Sequence, residues 1–310
     1  MDFRTDMAIE RRDIFRKANN TKDEIPGIQT KESNYKDNIH ITKVIITNEQ
    51  GALALGKPVG TYITIDIKNL KYATEESIED VAINVSLNLK EILNKYVNKE
   101  DDILVVGLGN RASTPDSLGP KVVQDIDITR HLLKYIPQYI EEGSRPVSAI
   151  SPGVLGTTGI ETQEILQGIV ENIKPKLVIV VDSLASKSIE RISSSIQISD
   201  TGIVPGGGVA NARRELSQNT LGIPVIAIGV PMVVEAATIA SDSLDIFIKK
   251  MQQNAKSNEY LNSLENEDKY TIIKEALAEE KYDLIVTPKE IDDLIENMSS
   301  IVARGINKSL

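Results

Sequence analysis

Four short apolar runs, separated by stretches with helical spacing, constrain what the middle of this chain can fold into. The runs consist mainly of Val, Ile and Leu and lie at 103–106, 147–150, 177–181 and 225–228. Such runs are typical of strands buried on both faces of a parallel sheet. Apolar residues recur at helical spacing over 117–135, 160–173 and 231–250. The alternation predicts an α/β fold, a layered sheet with helices on both faces.

The regions around this block predict further strands and helices. β-branched residues favour a hairpin-like pair of strands at 40–47 and 60–67, and an extra antiparallel strand at 191–199. Apolar spacing predicts a long amphipathic helix over 75–97 and a final one over 290–306.

The two remaining regions predict little regular structure. Residues 1–38 are polar and charged without a sustained period, so we expect a mobile or loosely docked segment. The stretch at about 250–288 is rich in Asn, Glu and Lys, and we expect it to be peripheral and partly helical. Apart from a short N-terminal propeptide at 1–6, argued below, we expect 7–310 to form a single domain.

Composition excludes several classes of protein. A formal net charge of −10 argues against a nucleic-acid partner, and aromatic residues at 4% leave little for base stacking. The absence of cysteine removes thiol catalysis and cysteine-based zinc sites, and it fits a cytoplasmic protein. No apolar run approaches the ~18 residues of a membrane span, so no membrane partner is expected.

The glycine loop after the first central run matches G-x-G-x-x-A, a pattern of dinucleotide-binding turns, over 107–112. Thr114 and Pro115 follow it closely. Because proline suits only the first helical position, the helix should begin after Thr114, too late for a dinucleotide turn. The loop residues Gly107, Gly109 and Asn110 instead shape the strand end, and their backbone N–H groups could face a developing oxyanion.

Two aspartates are expected at neighbouring strand ends. The loop places Asp116 at a helix N-terminus, and Asp182 ends the apolar run KLVIVVD. Open α/β sheets bind ligands at such strand ends. Asp116 could simply stabilise the helix dipole, and Asp182 could cap a turn. Together, however, two close carboxyls share a proton and can perform acid–base hydrolysis.

The other motifs indicate a function less strongly. Neither histidine, His40 or His131, lies in a recognisable catalytic motif, and a Ser183–Lys187 pair rests on sequence proximity alone. The triplet at 200–202, Asp-Thr-Gly, matches pepsin-like proteases but occurs once in an α/β pattern, and we interpret it as a turn. The loop with Gly206, Gly207 and Gly208 could be a lid, a substrate contact or an anion nest.

Several long blocks resemble the bacterial spore germination protease, an atypical aspartic peptidase family. The blocks are GLGNRASTPDSLGPKVV, RPVSAISPGVLGTTGIET, VDSLASKSIERISSSIQISDTGI, LGIPVIAIGVPMVV and VTPKEIDDLIENMSSIVARGIN. The resemblance runs from Arg4 to about Ala240 and returns near the C-terminus. It implies a fold similar to hydrogenase maturation proteases (phosphorylase/hydrolase-like), with Asp116 and Asp182 as the catalytic aspartates.

The resemblance also implies a biological setting. It implies an endopeptidase of the forespore or spore core, without cofactor or metal, that initiates degradation of small acid-soluble spore proteins during germination. It further implies a homotetramer and a zymogen that removes its own propeptide. It implies cleavage between an acidic residue and an apolar one, and the stretch Thr5 to Glu10 (TDMAIE) has this order, so we expect self-cleavage between Asp6 and Met7.

Three alternatives remain open on the sequence alone. A hydrogenase-maturation-type peptidase would share the fold, although the self-cleavage site argues against it. A non-catalytic nucleotide or small-molecule binder would use the two glycine loops. The stretch RTDMAIE could also be only a capped helix start.

Overall fold

In the computed structural model, the described residues form one mixed sheet flanked by helices. The structure describes residues 5–19, 24–68, 70, 74–140, 143–207, 213–254, 273, 275 and 284–310. Within these residues the sheet has nine strands, in the order β1-β2-β3-β7-β8-β6-β4-β5, with β9 paired to β8. The strands are β1 (Ile28–Tyr35), β2 (Ile39–Ile46), β3 (Gly60–Ile67), β4 (Ile103–Gly107), β5 (Val147–Ile150), β6 (Leu177–Ser186), β7 (Ser195–Ser199), β8 (Val225–Glu235) and β9 (Ile285–Val286).

The four central apolar runs form the parallel half of the sheet, as predicted. β5, β4, β6 and β8 pair in parallel, and β4 is buried along its whole length. The other half is antiparallel, through β1, β2, β3 and β7. The predicted pair at 40–47 and 60–67 is confirmed. The extra antiparallel strand is confirmed as well, although it begins only at Ser195 because 189–191 form a 3-10 turn.

Helices cover both faces of the sheet, which confirms the layered α/β prediction. Their bounds are α1 (Ala8–Ala18), α2 (Glu49–Leu55), α3 (Glu75–Leu93), α4 (Leu118–Gln124), α5 (Arg130–Tyr135), α6 (Leu155–Thr158), α7 (Thr162–Ile173), α8 (Gln218–Leu221), α9 (Ala236–Asn254) and α10 (Ile291–Ser309). One core joins the sheet to α3, α4 and α10. A smaller core joins its other face to α7 and α8. No described helix has the length and apolar character that a membrane crossing demands.

The N-terminal prediction was wrong for most of its length. Residues 5–18 are not loosely docked: Met7 and Ala8 are fully buried and α1 starts at Ala8. β1 then occupies Ile28–Tyr35, at the edge of the sheet. The polar sequence is misleading because these residues find buried hydrogen-bond partners across the molecule, which local periodicity cannot register.

The helices differ from the prediction at three points. β8 continues to Glu235, so the helix expected from 231 begins at Ala236. The stretch 117–135 divides into α4 and α5, with a break over 125–129. The expected helix start after Thr114 is instead a 3-10 turn, Thr114–Asp116, and α4 begins at Leu118. Asp116 therefore lies on a separate turn before the helix.

Unequal strand lengths create the crevice. β4 ends at Gly107, which pairs with Val181, whereas β6 continues to Ser186. Asp182 is thus the first residue of β6 beyond the end of β4. The pairing between β6 and β8 shifts register between Leu184 and Ala185, opposite Pro231. A proline without an N–H donor accounts for the irregularity at this point.

Candidate active site

Asp182 and Gln197 lie in one row across three neighbouring strands. Asp182 on β6 pairs with Gly229 on β8, and Gly229 pairs with Gln197 on β7. Residues directly opposite each other share a face of the sheet. The strand spacing of ~4.8 Å puts their Cα atoms roughly 10 Å apart. Between them, the Leu184 side chain covers Gly229, because a Cβ at Gly229 would lie 2.3 Å from Leu184 Cδ1.

Asp182 is a buried carboxyl, with 4% of its surface exposed. Its Oδ1 accepts a hydrogen bond of 2.9 Å from the backbone N–H of Ser183. Burial raises the pKa of Asp182 well above its ordinary value, and the nearby Asp116 and Asp6 carboxylates raise it further. The environment therefore favours the neutral acid of this side chain more than water does.

Asp116 is held beside Asp182 by the glycine loop. Its Oδ2 accepts the backbone N–H of Asn110 at 2.8 Å, while burial raises its pKa and that hydrogen bond partly offsets the effect. Gly109 has φ of +110°, and a Cβ there would lie 2.1 Å from the backbone oxygen of Asp116. Only glycine fits this position.

The two other loop residues have structural partners in this arrangement. A Cβ at Gly107 would lie 2.0 Å from the backbone oxygen of Gly119, so this glycine lets α4 approach β4 closely. The N–H of Asn110 is used by the Asp116 carboxylate. That Gly107, Gly109 and Asn110 face a developing oxyanion stays a prediction, and the geometry gives Asn110 a different partner.

The N-terminal segment lies in the same crevice. The backbone N–H of Asp6 donates to the carbonyl of Ala185 at 3.1 Å, and the N–H of Ala185 donates to Asp6 Oδ2 at 3.0 Å. The side chain of Gln197 bonds to the backbone on both sides of Met7. The Asp6–Met7 peptide bond thus lies between β6 and β7, and the Asp6 carboxylate lies near enough to Asp182 to raise its pKa.

Glu10 anchors this segment to the end of β6. Its carboxylate accepts hydrogen bonds from Ser186 Oγ at 2.7 Å and from the backbone N–H groups of Lys187 and Ser188 at 2.7 and 3.0 Å. Arg191 forms an ion pair with it at 3.4 Å, and the Thr5 hydroxyl also donates to it. Apolar contacts complete the anchor, because Met7 and Ile9 pack with Leu184.

A cleft beside the segment is lined by Asp6, Lys57, Leu184, Gln197 and Gly229, among other residues. Burial lowers the pKa of Lys57, and the Asp6 carboxylate partly opposes that shift. Gly207 lies beside Asp6, because a Cβ at Gly207 would lie 3.6 Å from Asp6 Oδ1. Gly206 is described, whereas Gly208 lies outside the described residues, and the lid or substrate role stays a prediction.

The histidines and the Asp-Thr-Gly triplet, which the sequence analysis did not assign to the site, have partners elsewhere or stabilise the fold. His40 is on β2 and contacts Asn34, while His131 is on α5. Asp200 accepts the N–H of Thr61 at 2.7 Å in a turn, in agreement with the interpretation of the Asp-Thr-Gly triplet. Across the described ranges, no group of three or more His, Asp or Glu side chains could hold a metal ion.

Sequence patterns indicate no role for Lys57 or Gln197, and they assign no contact to Glu10. Gln197 is one of three polar residues that alternate with isoleucine in the strand SIQIS, where outward-facing polar side chains would be expected. Glu10 belongs to the TDMAIE stretch, but its partners lie about 180 residues away in sequence. Only the tertiary arrangement brings Lys57 and Gln197 to the N-terminal segment and Glu10 to the end of β6.

Comparison with known proteins gives a consistent result along the whole chain. A family model described as germination protease matches residues 5–263 and 252–310. Germination protease of Clostridium perfringens is 47% identical over 99% of this chain and 94% of its own length. That of Caldanaerobacter subterraneus subsp. tengcongensis is 46% identical over 100% and 94%. That of Bacillus cytotoxicus is 41% identical over 99% and 93%.

A search of solved structures finds a hydrogenase maturation protease of Thermococcus kodakarensis. The match has 18% identity and a TM-score of 0.29, and it covers 47% of this chain and 80% of that protein.

Proposed function

This chain belongs to the germination protease family, and we propose that it is an aspartic-type endopeptidase in which Asp116 and Asp182 share the acid–base chemistry. One observation carries the proposal: the buried Asp182 on β6 and the half-buried Asp116 on the turn after β4 lie close enough that the charge of Asp116 raises the pKa of Asp182. Two such groups cannot both ionise cheaply, so they retain one proton between them.

Both pKa values are raised, and we assign the two roles from the difference in burial. Asp182 is the more deeply buried, so it holds the proton, and Asp116 is the base. Asp116 takes a proton from water as the water oxygen bonds to the scissile carbonyl carbon, giving a tetrahedral oxyanion. The carbon–nitrogen bond then breaks as Asp182 donates its proton to the leaving nitrogen. The products are a carboxyl group and an amine, and proton exchange with solvent restores the pair.

The first substrate proposed is the chain itself, at the Asp6–Met7 bond. The docked segment supports this, because Asp6 raises the pKa of Asp182 and therefore lies near it. Cleavage would remove the propeptide 1–6 and convert a zymogen into the active form. From the family resemblance we propose small acid-soluble spore proteins as the later substrates, in the spore core, and a homotetrameric enzyme.

The test uses Asp182→Asn and Asp116→Asn in the full chain, each incubated over a pH range. The readouts are N-terminal sequencing of the products and digestion of a purified small acid-soluble spore protein. We expect the wild type to acquire Met7 as its N-terminus and both variants to lose self-cleavage and digestion while keeping the wild-type circular dichroism spectrum. An active wild type that retains Met1 would refute self-processing, and an active Asp182→Asn variant would refute the aspartic mechanism.

A further inference from the structure

The side chain of Gln197 contacts the peptide backbone on both sides of Met7. Its Nε2 donates to the carbonyl oxygen of Asp6 at 3.2 Å, and its Oε1 accepts the N–H of Ala8 at 2.7 Å. The first contact is made to the carbonyl of the Asp6–Met7 bond. The second contact is made by the N–H of Ala8, the residue after Met7. The side-chain amide of Gln197 therefore fixes the orientation of the Asp6–Met7 bond by itself.

We propose that Gln197 is a catalytic residue that binds the oxygen of the scissile carbonyl and stabilises the oxyanion formed there. The inference deepens the proposed function and rests on cleavage at Asp6–Met7. The carbonyl oxygen gains negative charge when water adds to the carbon, so a fixed N–H donor binds it more tightly in the transition state than in the ground state.

The position of Gln197 suits this role. The residue lies inside the sheet on β7, between Thr64 of β3 and Gly229 of β8, and only 7% of it is exposed. A donor on a paired strand in a site with little water needs no reorganisation during the reaction. Asp182 lies on the far side of Gly229 in the same row, so the proton donor and the oxyanion donor approach the peptide from two strands.

The backbone N–H groups of the glycine loop are less suited to this task. The Asn110 N–H already donates to Asp116, and in doing so it orients that carboxylate and partly offsets the rise of its pKa. In this arrangement the loop positions Asp116, while Gln197 supplies the donor to the carbonyl. The two functions expected of one loop are therefore divided between two elements.

The acceptor side of Gln197 gives a specific requirement on the substrate. Because Oε1 takes the N–H of Ala8, the second residue after the scissile bond must carry a free N–H group. Proline at this position cannot donate, and its ring would meet the amide oxygen. The same requirement would apply to a protein substrate that occupies this crevice in place of the N-terminal segment.

The test compares Gln197→Met with the wild-type precursor. Methionine has a similar length and keeps the side-chain volume but neither hydrogen bond, and Gln29→Met on the exposed edge strand β1 is the matched control. The first-order rate of self-cleavage is measured by N-terminal sequencing or mass spectrometry. Hydrogen exchange of residues 5–10 reports separately whether the segment stays docked, since the Glu10 anchor is intact.

We expect Gln197→Met to slow self-cleavage by about 100-fold or more, the effect of removing one oxyanion donor, with residues 5–10 still protected. Gln29→Met should cleave at the wild-type rate. Unchanged cleavage in Gln197→Met would overturn the inference, as would slow cleavage that accompanies loss of protection, because Gln197 would then only dock the segment. A wild type that does not cleave itself would refute the proposed self-processing first, a result distinct from either.

A second variant covers the case in which Gln197→Met misfolds. Gln197→Glu keeps the acceptor for the Ala8 N–H and regains a donor only when its carboxyl is protonated. Its self-cleavage rate relative to wild type should therefore rise as the pH falls. A relative rate that is independent of pH and close to one would also overturn the inference.

Discussion

The carboxylate of Glu10 accepts a hydrogen bond from the hydroxyl of Ser186, the last residue of β6, at 2.7 Å. This contact joins the first turn of α1 to the strand that carries Asp182. The backbone N–H groups of Lys187 and Ser188 complete the binding of the same carboxylate. The N-terminal segment is thereby held in the crevice by a charge that is buried but fully partnered.

Glu10→Gln should weaken this docking. The amide keeps one acceptor oxygen but places N–H donors against the backbone N–H groups and against Arg191, so about 1–3 kcal/mol of docking free energy should be lost. Hydrogen exchange of residues 5–18 should become faster, and limited proteolysis should cut there. The control is Glu164→Gln on α7, which breaks the exposed ion pair between Glu164 and Arg214. It should change the docking free energy by no more than about 0.5 kcal/mol. Equal protection in Glu10→Gln and wild type would contradict the anchor.

Asp182→Asn should raise the stability of the precursor at neutral pH. The folded-state pKa of Asp182 lies above its unfolded value of about 4, so the folded state binds the proton more tightly and loses stability as the pH rises between the two values. Asparagine removes this penalty and keeps the acceptor for the Ser183 N–H. We expect a gain of about 1–2 kcal/mol at pH 7, the size common for stabilising substitutions at functional sites.

Chemical denaturation at several pH values measures this gain. The difference in free energy of unfolding between Asp182→Asn and wild type should be near zero below about pH 4. There, Asp182 of the wild type is protonated in both the folded and the unfolded state. It should grow with pH and level off above the folded-state pKa. A variant that is less stable than wild type at pH 7 would show that the carboxylate is favourably paired rather than strained.

Much of this fold follows from periodicity. The runs that became β4, β5, β6 and β8 are continuous and apolar because both faces of these strands are covered. The end of β8 could not be predicted, since residues 231–240 (PMVVEAATIA) are as compatible with a helix as with a buried strand. Its extension depends on pairing with β6 and β9, which is a long-range interaction.

The candidate site was predictable only in part. Asp116 and Asp182 stand out because strand ends point into the crevice of an open α/β sheet. Gln197 and Glu10 had no such signal, since their roles depend on partners about 180 to 190 positions away. A polar N-terminus resembles a loose segment whenever the groups that satisfy it are distant in sequence.

Asp6→Asn should lower the pKa of Asp182. The Asp6 carboxylate is one of the charges that raise this pKa, and asparagine removes the charge while keeping the shape. Infrared difference spectroscopy can follow the protonated carboxyl band that is absent in Asp182→Asn, and its midpoint should move to lower pH. Asp13→Asn, a neutralisation on α1 away from the crevice, should leave the midpoint in place. A midpoint unchanged by Asp6→Asn would show that the Asp6 carboxylate does not raise the pKa of Asp182.

Gly109→Ala should disable the base. A Cβ at this position would lie 2.1 Å from the backbone oxygen of Asp116 and 2.9 Å from its Oδ1, and φ of +110° is strained for alanine. Relief of the clash must move Asp116, so we expect self-cleavage to fall by about 100-fold, as when a reacting group is displaced by 1 Å. Stability should fall by about 1–3 kcal/mol.

Gly168→Ala is the matched control, because its Cβ meets no atom within 4 Å inside α7. Helix propensity should make that variant about 1 kcal/mol more stable, at the wild-type cleavage rate. If Gly109→Ala cleaved itself as fast as Gly168→Ala, the loop would not be what positions the base.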